Sequence, residues 1–199
     1  MEEINEQENK YKNKMAQAKH KKKFFEVEIP LIRKETQAQA FDIEDLAGRL
    51  IKYDLTRILR GKSMTLQVII EIKDGKATAI PKQINLMPYH LRRMVRKGTN
   101  YVEDSISADC KDAKIRIKPF LVTRRKVSRA VRKALREKAR EEIIEYVKNK
   151  KNETLFDEIL KNQLQKYLSS KLKKIYPLST CEIKTLNVEK FFEKSKEEQ

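Results

Sequence analysis

The sequence predicts an α+β fold, in which an antiparallel or mixed sheet of six to seven strands curls into a barrel-like core. Several short runs before residue 124 alternate apolar with charged residues, as half-buried strands do. From Val127 onwards the apolar residues instead recur at helical spacing. Strands joined by short turns and followed by helices favour an α+β arrangement over a doubly wound sheet.

The predicted strands begin with residues 25–29, which alternate apolar and charged side chains and end at Pro30. Residues 31–44 are interpreted as a loop, and residues 48–55 as the second strand. Residues 64–73 and 76–87 flank an Asp-Gly pair, which is typical of the turn between two antiparallel strands.

A short helix is predicted over residues 88–97, because proline stands at its first position and Gly98 follows its end. Two further strands, residues 99–110 and 113–123, come next. A long helix is expected over residues 126–148, with its apolar face at Val127, Ala130, Val131, Ala134 and Leu135.

The second long helix is predicted to start after Thr154, which has Asp157 three residues on and can cap it. Its apolar stripe continues to Ile175, and Pro177 ends it. Residues 178–188 alternate again and are interpreted as a final strand of the sheet.

With 199 residues, of which 39% are hydrophobic, the chain can bury one substantial core. The sequence therefore predicts a single domain over residues 21–190. Residues 1–20 lack apolar periodicity and are expected to form a flexible or extended tail, and residues 191–199 a frayed one. No apolar run approaches the roughly 20 residues that span a bilayer, so a cytoplasmic protein without a membrane partner is expected.

Charge is the strongest functional signal in the sequence. The formal net charge is +17, and residues 111–140 contain thirteen Lys or Arg against two acidic residues. Such clustering costs self-repulsion in the folded state and indicates a polyanionic partner. The segment includes a predicted strand, the turn after it and the start of a helix, so its cations can be held in a fixed array.

Four basic groups are the candidate RNA-binding residues. They are Lys21, Lys22 and Lys23; Arg92, Arg93, Arg96 and Lys97; Arg124, Arg125 and Lys126; and Arg129, Arg132, Lys133 and Arg136. Aromatic residues do not interleave with these groups in the sequence, which disfavours recognition dominated by base stacking. Contact with backbone phosphates and with folded nucleic-acid shape is predicted instead.

Catalytic chemistry is not indicated. Four glycines leave no phosphate-cradling motif. His20, His90, Cys110 and Cys181 lack partners at metal-ligand spacing. Asp104, Asp109 and Asp112 suggest a metal-dependent nuclease only weakly, because the first two point to opposite faces of a strand. The sequence therefore predicts no enzyme, no cofactor and no metal site.

Several short stretches, in order along residues 21–190, carry a resemblance to a known family. They are KKFFEV (22–27), LAGRL (46–50), MVRK (94–97), IRIKP (115–119), TRR (123–125) and KIYPL (174–178). With these residues the chain resembles the archaeal and eukaryotic small-subunit ribosomal protein family of the S-three-Ae type, also called eukaryotic-type S-one.

The resemblance implies a barrel-like α+β protein on the platform of the small ribosomal subunit, near the mRNA exit. Its implied partners are ribosomal RNA, neighbouring ribosomal proteins and mRNA at the exit channel, with no homo-oligomer. The function expected is that of a structural, non-catalytic constituent supporting translation. The alternative is a free-standing RNA-binding factor for processing or translation.

Overall fold

The computed structural model describes residues 21–73 and 75–192. The tails predicted at residues 1–20 and beyond residue 192 lie outside the described residues. Phe191, expected in the C-terminal tail, is instead the last residue of the final strand.

The described residues form two compact units. The first contains the chain up to Leu50 together with Ile69–Ile80, and the second contains Ile51–Val68 and the chain from Pro81 onwards. Two long strands, β4 (Met64–Lys73) and β5 (Lys76–Leu86), have residues in both units.

The first unit contains β1 (Lys23–Ile29) and β2 (Lys34–Ala40), which pair antiparallel. β1 also runs parallel to β5, with Val27 opposite Ala77. The prediction that residues 31–44 form a loop was wrong, because β2 lies within them. Its sequence, KETQAQA, has no large apolar residue, and its seven residues all pair with β1.

The hairpin prediction is confirmed, since β4 pairs with β5 and also with β3 (Leu50–Asp54). Gly75, between β4 and β5, has a φ of 72°, a conformation that glycine adopts without steric cost. The second unit adds β6 (Tyr101–Glu103), β7 (Ile106–Asp109), β8 (Ala113–Thr123) and β9 (Leu178–Phe191).

The single strand predicted over residues 99–110 is divided into β6 and β7. At the division the Ser105 backbone N–H donates to the Asp104 carboxylate at 3.0 Å, in place of a neighbouring strand. Both short strands pair antiparallel with β8, which pairs with β9 on its other side.

The fold class is confirmed as α+β with a mixed sheet, although the sheet has nine strands rather than six or seven. Its hydrogen-bonded order is β2-β1-β5-β9-β8-β6, with β3 and β4 joined through β5 and β7 joined to β8. This path begins at β2 and ends at β6 in the described part of the chain. The sheet is therefore open, and the expected barrel is not closed.

The helices are α1 (Pro88–Met94), α2 (Arg129–Lys148), α3 (Asn152–Leu160) and α4 (Gln163–Leu172). The second long helix of the prediction is thus two helices. Asn162, between them, adopts the left-handed conformation with φ 60°, which interrupts an α-helix. The Gln165 side chain donates to the Ile159 carbonyl at 3.0 Å and satisfies one carbonyl at the break.

The core of the second unit lies between the sheet and α2, α3 and α4. Fully buried apolar residues come from β8 and β9 on one side and from the three helices on the other. Within residues 21–73 and 75–192, every helix is too short or too polar to cross a membrane.

Candidate nucleic-acid interface

The turn Arg124–Arg125–Lys126 is held in place by its neighbours on both sides. Thr123, which is 0% exposed, ends β8 just before the turn. Its hydroxyl lies 3.0 Å from the Asn100 backbone nitrogen and 2.7 Å from the Arg125 carbonyl oxygen. On the far side, the Val127 backbone N–H donates to the Asn100 side-chain oxygen at 2.9 Å. The exposed side chains of Arg124, Arg125 and Lys126, together termed the basic turn, thus project from a fixed backbone.

The basic end of α1 is brought close to this turn. The Thr99 hydroxyl donates to the Arg96 carbonyl at 2.7 Å, which closes the turn of residues 96–99 immediately before Asn100. Asn100 lies three residues after Lys97, and its side chain is hydrogen-bonded to the Val127 backbone N–H. This short path limits the distance between the Cα atoms of Lys97 and Lys126 to about 20 Å. The folded chain therefore holds the second and third basic groups in the same region of the second unit.

The start of α2 extends the same array. Ser128 caps the helix by accepting from the Val131 N–H at 3.4 Å. The first buried residue of α2 is Leu135, so none of its first six residues is fully buried. Ala130, expected on the core face, is exposed. The other predicted apolar-face residues, Val127, Val131 and Ala134, are half-buried, and Leu135 is buried.

These residues are collectively termed the basic surface: Arg92, Arg93, Arg96, Lys97, Arg124, Arg125, Lys126, Arg129, Arg132, Lys133 and Arg136. All are exposed except Arg132, which is half-buried. Among the described residues, Lys133 alone of this set lies near a carboxylate, 3.7 Å from that of Glu137. That pair is exposed and contributes at most about 1 kcal/mol. The basic surface is thus charged and largely uncompensated.

Arg132 differs from its neighbours on α2. Its Nε is buried and has no hydrogen-bond partner within the described residues. Burying a guanidinium nitrogen without a partner is costly.

The remaining candidates, Lys21, Lys22 and Lys23, belong to the first unit. All three are exposed, and the Lys22 ammonium lies 5.6 Å from the centroid of the Phe41 ring. The structure therefore groups eleven of the fourteen predicted residues in one unit, and these three stay a separate prediction.

In the acidic second half of α2, Glu142 contributes to the packing of the fold. The other acidic residues of this half are exposed, namely Glu137, Glu141 and Glu145. Glu142 is 5% exposed and accepts from the Tyr167 hydroxyl at 2.7 Å, with Lys138 and Lys171 at 3.4 and 3.6 Å. The hydrogen bond from Tyr167 is the main reason that the pKa of Glu142 is lowered. This half of α2 therefore packs against α4.

The carboxylates near the basic surface are neutralised. Arg140 Nη2 contacts both oxygens of Asp104, at 3.2 and 2.9 Å. Lys184 pairs with Glu103 at 2.9 Å. Asp104, which the sequence offered as a weak nuclease candidate, is thus engaged in an ion pair.

The thiols and histidine are placed as packing groups. Cys110 is buried and donates to the Ala113 carbonyl, whereas burial raises the pKa of Cys181 to about 12. Burial also favours the neutral form of His90, and it therefore lowers the pKa of this histidine. In the parts of the chain that the structure describes, no three His, Cys, Asp or Glu side chains are grouped to hold a metal ion.

Sequence reasoning missed Asn100, Thr123 and Tyr101 as contributors to this region. The two residues Asn100 and Thr123 fix the basic turn, and Tyr101 is an exposed aromatic beside it. The sequence gives little indication that Asn100 contacts Thr123, because 23 residues separate the two. Only the pairing of β6 with β8 brings them together.

Comparison with known proteins gives a consistent set of relatives. The chain is 32% identical over 101 residues to a protein of Halorubrum lacusprofundi named "Small ribosomal subunit protein eS1", a match covering 50% of this chain and 47% of that one. It is 25% identical over 175 residues to the eS1 protein of Nanoarchaeum equitans, covering 84% and 88%. For the eS1 protein of Pyrobaculum neutrophilum the identity is 29% over 142 residues, covering 68% and 62%.

The match thus spans about half the length of the haloarchaeal relative and most of the nanoarchaeal one. A model of the Ribosomal S3Ae family matches residues 10–191, which include both units of the fold and the whole basic surface. On this match, the chain belongs to the Ribosomal S3Ae family.

Proposed function

We propose that this protein is a structural, non-catalytic constituent of the small ribosomal subunit in the cytoplasm, where its basic surface binds folded ribosomal RNA through phosphates. Family membership and the names of the relatives support the ribosomal role. The basic surface supports the phosphate contacts, because its arginines project from a fixed backbone and lack carboxylate partners among the described residues.

The start of α2 is the single observation that favours RNA most strongly. Basic residues at a helix N-terminus oppose the helix dipole, which favours negative charge there. Here Arg129, Arg132 and Lys133 occupy the first two turns of α2, and none of the six residues before Leu135 is buried. An external polyanion would offset both the dipole conflict and the mutual repulsion of these cations.

Phosphate contacts explain the absence of an aromatic motif among the basic groups. Folded RNA displays its backbone and the shallow minor groove, so recognition there depends on shape and phosphate geometry rather than on base edges. Arginine suits this role because its planar guanidinium can engage phosphate oxygens with two parallel hydrogen bonds.

We further propose a position on the platform of the small subunit near the mRNA exit, with neighbouring ribosomal proteins as additional partners. This proposal relies on the family to which the chain belongs. Lys21, Lys22 and Lys23 in the first unit are proposed as further RNA contacts, on the basis of their charge and exposure.

Incorporation into subunits tests the proposed function. Arg124, Arg125 and Arg129 are replaced together by Glu, and the variant is expressed beside the unchanged protein. We expect the unchanged protein to sediment with small subunits at one copy each through a moderate salt wash. The charge-reversed variant should remain in free fractions while its isolated fold stays intact.

The matched control replaces Lys148, Lys151 and Lys166 by Glu; these lysines are exposed, do not belong to the basic surface and give the same change in net charge. Lys150 is unsuitable as a control because it pairs with Glu158 and lies 3.6 Å from the centroid of the Tyr146 ring. If the unchanged protein were found in free fractions only, a free-standing RNA-binding factor would be the better account.

A further inference from the structure

Within the described part of the chain, Tyr101 is a large and exposed aromatic residue that the fold places beside the basic turn. It is 53% exposed and is the first residue of β6, at the edge of the sheet. Its cross-strand partner on β8 is Val122, so Arg124 lies only two residues beyond that pair. Tyr101 also follows Asn100, whose side chain holds the far end of the basic turn.

The ring of Tyr101 is fixed from one side. Its centroid lies 5.6 Å from that of Phe120, with 23° between the ring planes. Phe120 is 2% exposed and belongs to the core, so it is a rigid base for the stack. Because Phe120 stacks against one side of the tyrosine ring, a further aromatic ring can stack on this exposed residue only from the other side.

The electrostatic surroundings of Tyr101 suit a nucleotide. Glu103 and Asp104, the carboxylates nearest along the chain, are paired with Lys184 and Arg140. Lys97 lies four residues before Tyr101, within about 14 Å along the chain. A phosphate beside the tyrosine would therefore meet cations of the basic surface and no uncompensated carboxylate from these neighbours.

We propose that the open face of Tyr101 stacks on an unpaired RNA base while the basic turn holds the phosphates next to that base. This inference rests on the proposed function, since it assigns a base-recognition site to the same surface. Aromatic side chains bind unpaired bases irrespective of sequence, because every base has a π face. Duplex RNA keeps its bases stacked internally, so the site selects loops, bulges or single strands next to folded RNA.

Two RNA probes separate stacking from phosphate contact. One is a single-stranded oligouridine of about 12 nucleotides, and the other is a blunt duplex of the same length. The full chain is compared with Tyr101→Leu, which covers Phe120 without a π face, and with Tyr101→Phe, which keeps the stack. Phe191→Ala is the control, because Phe191 is also an exposed aromatic residue, at 45%. It pairs with Ala113 at the start of β8, and Ala113 lies about 33 Å from Thr123 at the other end of that strand.

We expect Tyr101→Leu to weaken binding of the oligouridine by about fivefold to 150-fold, the range for loss of one aromatic–base stack. Binding of the duplex should be unchanged, and Tyr101→Phe and Phe191→Ala should bind both probes as the unchanged protein does. With 5-iodouridine in the single strand, irradiation should attach the RNA at Tyr101.

Unchanged oligouridine affinity in Tyr101→Leu would overturn the inference, as would an equal loss on both probes. A loss of subunit incorporation without a loss of oligouridine affinity would also overturn it, because Tyr101 would then contact a protein neighbour. The failure of the proposed function looks different. In that case reversal of Arg124, Arg125 and Arg129 would leave the affinity for both probes unchanged.

Discussion

Replacing Thr123 by Val tests whether the basic turn is held by one buried hydroxyl. Valine matches threonine in shape and leaves no cavity, so the change removes the hydroxyl alone. The Asn100 backbone N–H, 3.0 Å from that hydroxyl, then loses its partner. The Arg125 carbonyl, 2.7 Å away, loses a donor but lies in an exposed turn where water can replace it.

The magnitude follows from the Asn100 backbone N–H, a part-buried donor that is left without a partner. Leaving one buried polar group unsatisfied costs about 1–3 kcal/mol of the free energy of unfolding. The backbone bond from the Thr123 N–H to the Asn100 carbonyl, at 2.9 Å, remains and limits the damage to the turn. For a chain of this size the melting temperature should fall by about 2–12 °C.

Thermal unfolding and RNA affinity are measured together, with Thr78→Val as the control. The Thr78 hydroxyl makes one exposed 3.4 Å contact to the Glu71 carbonyl, so its loss should change stability by less than about 0.5 kcal/mol. Thr123→Val should also bind RNA more weakly than the control. Stability and affinity equal to those of the control would refute the role given to this hydroxyl.

Three further predictions concern the fold around the interface. Asn162→Ala should be less stable than Asn162→Gly by about 1–2 kcal/mol, measured by urea unfolding, because both lose the bond from Lys62 but alanine also resists a φ of 60°. Glu142→Gln should cost about 1.5–3 kcal/mol at pH 7. Since the pKa of Glu142 is lowered from 4.5 in the folded state, that stability difference should shrink as the pH falls below 4.5. Cys181 should react with iodoacetamide at least about tenfold more slowly in the folded chain than after unfolding at pH 8. Burial raises its pKa to about 12, and the lower thiolate fraction outweighs the higher nucleophilicity of a more basic thiolate.

The sequence was informative where apolar residues alternate against charge. β8 has the predicted bounds because Ile115 and Ile117 mark its buried face. β2 was missed because its polar and small residues carry no apolar pattern, and it exists through pairing with β1. Local periodicity cannot report a strand that a neighbour stabilises.

Long-range contacts account for the other differences. The break between α3 and α4 coincides with the bond from the Lys62 ammonium to the Asn162 side chain, which spans 100 residues of sequence. In the candidate site, too, some residues could be predicted from the sequence and others depend on long-range pairing. Its cations could be read directly from the sequence, whereas the contribution of Asn100 and the position of Tyr101 depend on the register between β6 and β8.

The salt dependence of RNA affinity tests the central claim, phosphate binding by the basic surface, most directly. Contacts with six to ten phosphates predict a slope of log affinity against log salt of about −4 to −9. Reversing Arg124, Arg125 and Arg129 should make that slope shallower by about 2–3, while reversing Lys148, Lys151 and Lys166 leaves it unchanged. A slope near zero, or one that the two variants alter equally, would contradict the proposal that these arginines bind RNA phosphates.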